Sequence, residues 1–380
     1  MSIEFKEWGA ALLHILYRQI GGYAGARPSI ALVWLALSPI PCSAQAMPDQ
    51  IAYELSTRYT PYADGAAVLD LEQIASKSIN AFDRPLASLH LALDPGHVGG
   101  IWAEWEWRNF RISEEDYWIR EGELVLEVAQ RIRTRLTNLG AEVTLLREDY
   151  QPINPMNFID YWPLAAAEKM PPTELSFKSQ LDHALKVRNR AIRLAIVRGE
   201  IAERARLVNE VIRPDVLISL HINAAEWPDG NRDQLVDGDH AHVLIFGCLS
   251  ETELASPNQQ VRLLEKLSNG SGTVEAQLGA ALGSALIETT GLPASDYQGR
   301  NAIRIDPEVP SLWARNLMLL RLVDCPTVLM EPYITNSHSS YARIQKALRA
   351  REYHEPLPAD DILVEYADAV VTGVLRAYER

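Results

Sequence analysis

Short apolar runs alternate with amphipathic stretches along the chain from residue 89 towards its end. The apolar runs predict strands, because each is short and is bounded by turn-forming residues. These predicted strands cover residues 89–95, 142–147, 216–224, 242–246 and 327–331. Stretches with apolar residues at helical spacing predict helices at about 121–139, through 178–212 and at about 359–378. Strands that alternate with helices predict an α/β domain whose mostly parallel sheet is covered by helices.

Four segments interrupt this alternation. Residues 150–177 are rich in proline and aromatic residues, and residues 226–240 contain one proline and two glycines, so both segments predict surface insertions. Residues 101–120 contain tryptophans that either stack on sugar rings, cover a site, or pack on one another within the loop. These are Trp102, Trp105, Trp107 and Trp118. Residues 249–310 include a helix-like stretch at 274–287, which predicts either a regulatory lid or a helix covering the sheet.

The first 46 residues differ from the rest of the chain. Arg27 precedes an apolar stretch at 30–37, and the small-residue sequence Ala-Gln-Ala follows at 44–46. This order predicts a secretory signal peptide over residues 1–46, followed by an N-terminal extension over 47–87. The apolar stretch is too short to remain as a membrane anchor, so no stable span is expected after cleavage. The protein is therefore expected to be exported, to the periplasm or outside the cell. The alternative is an uncleaved amphipathic N-terminus.

Composition and charge narrow the classes of partner. Hydrophobic residues make up 47% of the chain and charged residues 23%, which is typical of a globular protein. The formal net charge is -14, and nucleic-acid binding requires a basic surface that neutralises phosphates. A nucleic-acid partner is therefore not expected.

Chemically active side chains follow three of the predicted strands. His97 lies just beyond the first strand, His221 follows the run 216–220, and Glu331 ends the run 327–331. In open α/β sheets the site forms beyond the carboxyl ends of the strands, so these side chains are expected at one edge. Glu121 opens the predicted helix between the two histidines and is the remaining candidate.

Two neutral imidazoles and one carboxylate make a ligand set that suits catalytic zinc and leaves a position for water. His97, Glu121 and His221 suit that role, and Glu331 suits the role of a carboxylate that accepts the proton of the water. Zn²⁺ is therefore the expected cofactor. No other cofactor is expected.

Several neighbouring residues keep open alternatives. Asp94 is expected either to cap the turn or to orient a ligand imidazole, and Asn223 either to brace the His221 loop or to contact substrate. Other glutamates compete with Glu121 as the carboxylate ligand. These competitors are Glu114, Glu115 and Glu123. His240 and His242 are expected to be surface or packing residues, and they are the next candidates for metal ligands.

Together these motifs resemble the zinc-dependent N-acetylmuramoyl-L-alanine amidases, type 3, over about residues 88–378. The resemblance is carried by Asp94-Pro95-Gly96-His97, the helix start at Glu121, Ser219-Leu220-His221-Ile222-Asn223-Ala224, and Val328-Leu329-Met330-Glu331 followed by Asn336. It implies that His97, Glu121 and His221 bind zinc and that Glu331 is the catalytic glutamate. The chain departs from the family at Val98, in the long separation of His97 from Glu121, and at Pro332-Tyr333-Ile334.

The resemblance also implies a fold and a reaction. The fold is a mixed, mostly parallel sheet of about six strands flanked by helices on both faces, forming a catalytic domain over 88–380. The reaction is hydrolysis of the amide between N-acetylmuramic acid and L-alanine of the stem peptide, in cell-wall remodelling. Peptidoglycan is then the substrate, and an activator protein is a further expected partner. The alternatives are a zinc exopeptidase of related fold and an inactive homologue that binds the wall or a partner.

Overall fold

The structure is a computed structural model, and it describes residues 84–173, 176–297 and 299–378. The predicted signal peptide and nearly all of the predicted N-terminal extension lie outside these residues.

Nine strands occur in the described part of the chain, in the following order. They are β1 (His90–Pro95), β2 (Asn109–Phe110), β3 (Ile119–Arg120), β4 (Glu142–Leu145), β5 (Val216–Leu220), β6 (Ala241–Phe246), β7 (Ile303–Asp306), β8 (Val309–Arg315) and β9 (Thr327–Pro332). Seven of them form one sheet in the order β4-β1-β5-β9-β6-β8-β7, and β2 pairs with β3 in a separate ribbon. Strands β4, β1, β5 and β9 are parallel, and β6 runs antiparallel to β9. Strand β8 is parallel to β6, and β7 is antiparallel to β8.

The predicted fold class is confirmed, with one strand more than the sequence suggested. Strands β7 and β8, which form a hairpin at one side of the sheet, are not among the five strands that the sequence located individually. Strand β7 has the sequence Ile-Arg-Ile-Asp, and its residues are half-buried or exposed. It therefore lacks the continuous apolar run that predicted the central strands.

The helices follow in chain order. They are α1 (Trp102–Glu106), α2 (Glu121–Asn138), α3 (Trp162–Ala167), α4 (Phe177–Arg193), α5 (Glu200–Arg206), α6 (Glu251–Leu254), α7 (Pro257–Asn269), α8 (Ser271–Thr290), α9 (Met318–Leu322), α10 (His338–Glu352) and α11 (Ile362–Tyr378). Short 3₁₀ segments lie at Phe158–Tyr161 and Pro228–Gly230, and π-helical segments at Leu194–Gly199 and Leu207–Ile212. A search of the described helices found none with the length and apolar character needed to cross a membrane.

Side chains of the central strands alternate between two buried layers, as the strand period requires. Leu91 and Leu93 of β1 belong to the large core formed with α2, α8 and α11, whereas Ala92 belongs to a smaller core with residues of α5 and α9. Helices therefore cover both faces of the sheet, as predicted. The edge beyond the carboxyl ends of β1, β5 and β9 is left to the loops that follow them.

The helix-like stretch at 274–287 forms part of α8, which packs against α11 and strand β6. Its Leu278 and Leu282 are fully buried in the large core. The reading as a helix that covers the sheet is confirmed, and the lid alternative is wrong for this stretch. The insertion at 150–177 contains α3, whose Ala165 packs against α4 in a small core of its own.

Candidate metal centre

The turn after β1 brings two histidines together. Gly96 N–H donates to the carbonyl oxygen of Leu220 at 2.8 Å, which extends the pairing of β1 with β5 beyond the strand itself. A Cβ atom at Gly96 would collide with the imidazole of His221, so a glycine is required there. The next residue, His97, has a φ of 54°, in the left-handed region that non-glycine residues seldom adopt. The turn therefore holds His97 in a constrained conformation beside His221.

Three adjacent strands deliver the candidate side chains to one edge of the sheet. Pro95 of β1 pairs with Leu220 of β5, and Leu220 pairs with Met330 of β9. His221 N–H also donates to the carbonyl oxygen of Met330 at 2.9 Å, so His221, just after β5, and Glu331, near the end of β9, lie at the same level. This is the edge that the sequence predicted.

Glu121 lies between the two imidazoles as the first residue of α2. Its Oε2 lies 3.4 Å from His97 Nε2, and its Oε1 lies 3.1 Å from His221 Nδ1. The two rings meet edge to face with their centroids 5.0 Å apart. One potential ligand atom from each of the three residues lies within 4.8 Å of the others. The structure therefore brings the predicted ligand set together.

The charges of this cluster are strongly coupled. Burial by itself would raise the pKa of Glu121, but His97, His221 and Arg108 outweigh it and lower this pKa to about 2. Burial would lower the pKa of His221, but its hydrogen bond to the Glu121 carboxylate raises it overall. The Glu121 carboxylate is therefore charged at neutral pH. A histidine that ligates a metal does so in its neutral form.

The donor set fits zinc. Two imidazoles and a carboxylate, with room for a water molecule, are a ligand set of catalytic zinc sites. The side chains of His97 and His221 remain 19% and 15% exposed, while that of Glu121 is 7% exposed. A cation held here would therefore be reachable by a substrate from the solvent side.

The Glu331 carboxylate contacts the imidazole of His242. Its Oε2 lies 2.6 Å from Nε2 of His242, and the hydroxyl of Tyr297 lies 3.2 Å from the same nitrogen. Burial by itself would raise the pKa of Glu331, but the hydrogen bond from His242 outweighs it and lowers the pKa overall. The Glu331 side chain is 20% exposed, so it is accessible to a molecule that enters from the solvent.

The motifs and the geometry of this site agree with a match to a known family. A family model described as N-acetylmuramoyl-L-alanine amidase matches residues 91–353. The chain belongs to this family. The match spans every candidate residue from Asp94 to Glu331, and it establishes the enzyme type of the chain.

Solved structures of amidases are similar to this chain at low sequence identity. The amidase Ami1 of Mycobacterium smegmatis is 17% identical, with a TM-score of 0.43, over 77% of this chain and 98% of that chain. The amidase AmiC2 of Nostoc punctiforme is 13% identical, with a TM-score of 0.39, over 77% of this chain and 98% of that chain. A search of curated proteins found no match.

Asp94 of the amidase does not bond a ligand imidazole. It accepts hydrogen bonds from the Ser219 hydroxyl at 2.7 Å and from Arg204 Nη1 at 2.8 Å. Arg204 also donates to the carbonyl oxygens of Pro95 and His97, each at 2.8 Å. Of the two predicted roles of Asp94, the structure favours support of the turn. It acts through Arg204, which the sequence analysis missed.

A second buried arginine holds the same turn from another side. Arg147 donates to the carbonyl oxygens of Pro95 and His97 at 3.2 and 3.1 Å, and it also donates to the carbonyl of Gly122 in the first turn of α2. Burial lowers the pKa of Arg147 to about 10 despite the nearby carboxylates, and the side chain still carries its charge at neutral pH. Arg147 therefore ties the His97 turn to the helix that carries Glu121.

Asn223 braces the loop after His221. Its carbonyl oxygen accepts from Thr335 N–H at 2.8 Å, and its side-chain oxygen accepts from the N–H of Ala224 at 2.8 Å. Its amide nitrogen lies 3.4 Å from His240 Nε2. Of its two predicted roles, these contacts favour bracing of the loop.

The competing ligands lie outside the cluster. Glu123 accepts from Gly100 N–H at 2.9 Å and from Arg120 at 3.1 Å, while Glu114 and Glu115 are exposed. His240 and His242 stack on each other at Glu331, with ring centroids 5.5 Å apart. The alternative that these residues complete the metal site finds no support in the geometry.

Sequence reasoning did not foresee the contact between His242 and Glu331. It arises because β6 pairs antiparallel with β9, and that register places His242 directly opposite Glu331. The only sequence cue was a histidine inside a buried apolar strand, where an imidazole needs a partner.

Proposed function

We propose that this amidase is a zinc-dependent hydrolase of the amide between N-acetylmuramic acid and the L-alanine of the stem peptide. One observation carries the proposal: ligand atoms of His97, Glu121 and His221 lie within 4.8 Å of one another at an accessible sheet edge. Glu331, near the end of the neighbouring strand β9, supplies a separate carboxylate. Peptidoglycan is the proposed substrate, and cell-wall remodelling outside the cytoplasm is the proposed role.

The proposed chemistry divides between the cofactor and the chain. Zinc at this site supplies a Lewis acid that acidifies a water molecule and stabilises negative charge on the carbonyl oxygen. Glu331 accepts a proton from the attacking water as the new C–O bond forms. It then gives that proton to the leaving amine as the C–N bond breaks. His242 holds Oε2 of Glu331 at 2.6 Å, which orients the carboxylate for both transfers.

The geometry also supports the choice of base. A deprotonated carboxylate is needed to accept a proton, and the lowered pKa of Glu331 keeps it charged at neutral pH. Its side chain is 20% exposed, so a substrate can reach it from the solvent. Export and an activator protein remain predictions of the sequence analysis, because the segment that would direct export lies outside the described residues.

The test compares wild type with Glu331→Gln on purified peptidoglycan. Both proteins should bind zinc stoichiometrically, but the substitution should lower the rate of peptide release by roughly 100- to 10,000-fold, because it removes general base catalysis. Glu308→Gln, at an exposed position in the hairpin between β7 and β8, is the matched control and should keep full activity. Full activity in Glu331→Gln contradicts the proposal.

Product analysis distinguishes the remaining alternatives. Free stem peptides with intact glycan strands support the muramyl amidase, whereas stepwise loss of terminal amino acids supports an exopeptidase. Absence of stoichiometric zinc from the purified wild-type protein supports an inactive homologue that binds the wall or a partner.

A further inference from the structure

Glu106, in the tryptophan-rich insertion at 101–120, contacts Nδ1 of the His97 ring. Glu106 is the last residue of α1, and its Oε1 lies 3.1 Å from His97 Nδ1. Its Oε2 accepts from the backbone N–H of Val98 at 2.6 Å. The Glu106 side chain is only 6% exposed, so both oxygens are held where water competes little.

The two nitrogens of the His97 ring face different carboxylates. Nδ1 faces Glu106, and Nε2 faces Glu121 at 3.4 Å within the ligand cluster. A neutral imidazole that donates Nδ1–H to a carboxylate presents the lone pair of Nε2 to a metal, and such a partner fixes both the tautomer and the ring orientation. We propose that Glu106 is the positioning residue of His97, committing Nε2 to the metal. This inference rests on the proposed zinc site.

Glu106 is not placed as a ligand itself. Its two oxygens are engaged by His97 Nδ1 and Val98 N–H, and the group whose ligand atoms lie within 4.8 Å contains only His97, Glu121 and His221 among the described residues. Its role is therefore exerted through the imidazole.

Neighbouring contacts fix the position of Glu106. Trp107 caps the C-terminal end of α1, with a φ of 60° and a backbone N–H that bonds back to the helix. The guanidinium of Arg193, in α4, lies 3.5 Å from the centroid of the Trp107 ring. This cation–π contact joins the insertion at 101–120 to the helical segment that follows the insertion at 150–177. Trp107 thus has a packing partner that accounts for its position without a bound sugar.

The His97 backbone is held just as firmly. Its carbonyl oxygen accepts from Arg147 at 3.1 Å and from Arg204 at 2.8 Å, which stabilises the left-handed turn. With the backbone fixed by arginines, the remaining freedom of His97 is rotation of its ring. Glu106 is the group that removes this freedom.

The experiment measures zinc affinity rather than activity. The zinc dissociation constant of purified full-length protein is obtained by competition with a chromogenic chelator for wild type, Glu106→Gln and Glu104→Gln. Glutamine keeps the shape of the side chain but removes its charge, so affinity should fall by roughly 10- to 100-fold. Glu104 lies in the same helix and is exposed, so its variant should match wild type. The melting temperature of the metal-free protein should be equal in all three.

A second measurement needs no variant. Nitrogen-15 spectra of the zinc-loaded wild type should show His97 protonated at Nδ1 and metal-bound through Nε2. Binding through Nδ1 overturns the inference, as does a Glu106→Gln variant with wild-type zinc affinity. A wild type without zinc affinity overturns the proposed function instead, so the two failures are distinguishable.

Discussion

Replacement of Arg204 by methionine tests whether the buried ion network beneath the His97 turn is needed for stability. The Arg204 side chain is 4% exposed and pairs with Asp94 at 2.8 Å and with Glu200 at 3.0 Å, each of which is 2% exposed. Methionine preserves most of the apolar stem but leaves both carboxylates buried without their cation. It also removes the donors to the carbonyl oxygens of Pro95 and His97.

The expected loss follows from the burial of the pair. Removing one partner of a buried ion pair costs about 3–5 kcal/mol, because the remaining charge stays desolvated. For a domain of this size, each kcal/mol lowers the melting temperature by about 2 °C or slightly more. Arg204→Met should therefore lower it by at least about 6 °C. Zinc affinity should fall as well, since the His97 turn loses one of its two arginines.

The assay is thermal unfolding of the metal-free protein, followed by circular dichroism and calorimetry. Arg206→Met is the matched control in the same helix, because Arg206 is 45% exposed and pairs with surface glutamates. Surface pairs contribute about 0–1 kcal/mol, so the control should stay within about 2 °C of wild type. A double variant with Asp94→Asn should recover part of the loss, because it removes one uncompensated charge. Equal melting temperatures of Arg204→Met and Arg206→Met refute the reasoning.

Two further predictions concern pH. Burial alone would raise the pKa of Asp94, but Arg204 and the Ser219 hydroxyl hold this pKa below its usual 3.8. The charged carboxylate therefore stabilises the fold above pH 3.8, and this stabilisation is lost as the pH falls through the lower pKa of the folded state. The difference in unfolding free energy between wild type and Asp94→Asn, measured in urea, should be constant near neutral pH and shrink below about pH 4; a constant difference at all pH values contradicts this. His242→Phe removes the hydrogen bond that lowers the Glu331 pKa, so the acid limb of kcat should move to higher pH with zinc affinity unchanged. His338→Gln, at an exposed position, is its control, and an unmoved acid limb argues against the contact.

Much of the fold could be read from local patterns. The central strands are buried on both faces, so they appear as continuous apolar runs, and the polar residue that follows each run marks the edge where a site forms. This placed His97, His221 and Glu331 at strand ends, and the amphipathic pattern placed Glu121 at the start of α2. The hairpin of β7 and β8 escaped the same reasoning. The edge strand β7 carries polar residues and lacks an apolar run, and β8 begins with Val-Pro-Ser.

The supporting residues of the site could not be read in this way. Arg147, Arg204 and Glu106 look like ordinary charged residues of helices and loops, and only their burial against the His97 turn shows their role. The amphipathic helix pattern around Arg204 gave no reason to expect a buried guanidinium.

The sequence by itself determined the elements and the side chains that end them, because hydrophobic periodicity acts over a few neighbouring residues. Tertiary structure alone decided the partners: Arg204 lies 110 positions from Asp94, and His242 lies 89 positions from Glu331. Such contacts depend on strand order, register and the packing of a helix on the sheet, none of which is encoded in the spacing of residues along one element. The candidate ligands could thus be anticipated from local pattern, whereas the groups that contact them follow from long-range packing.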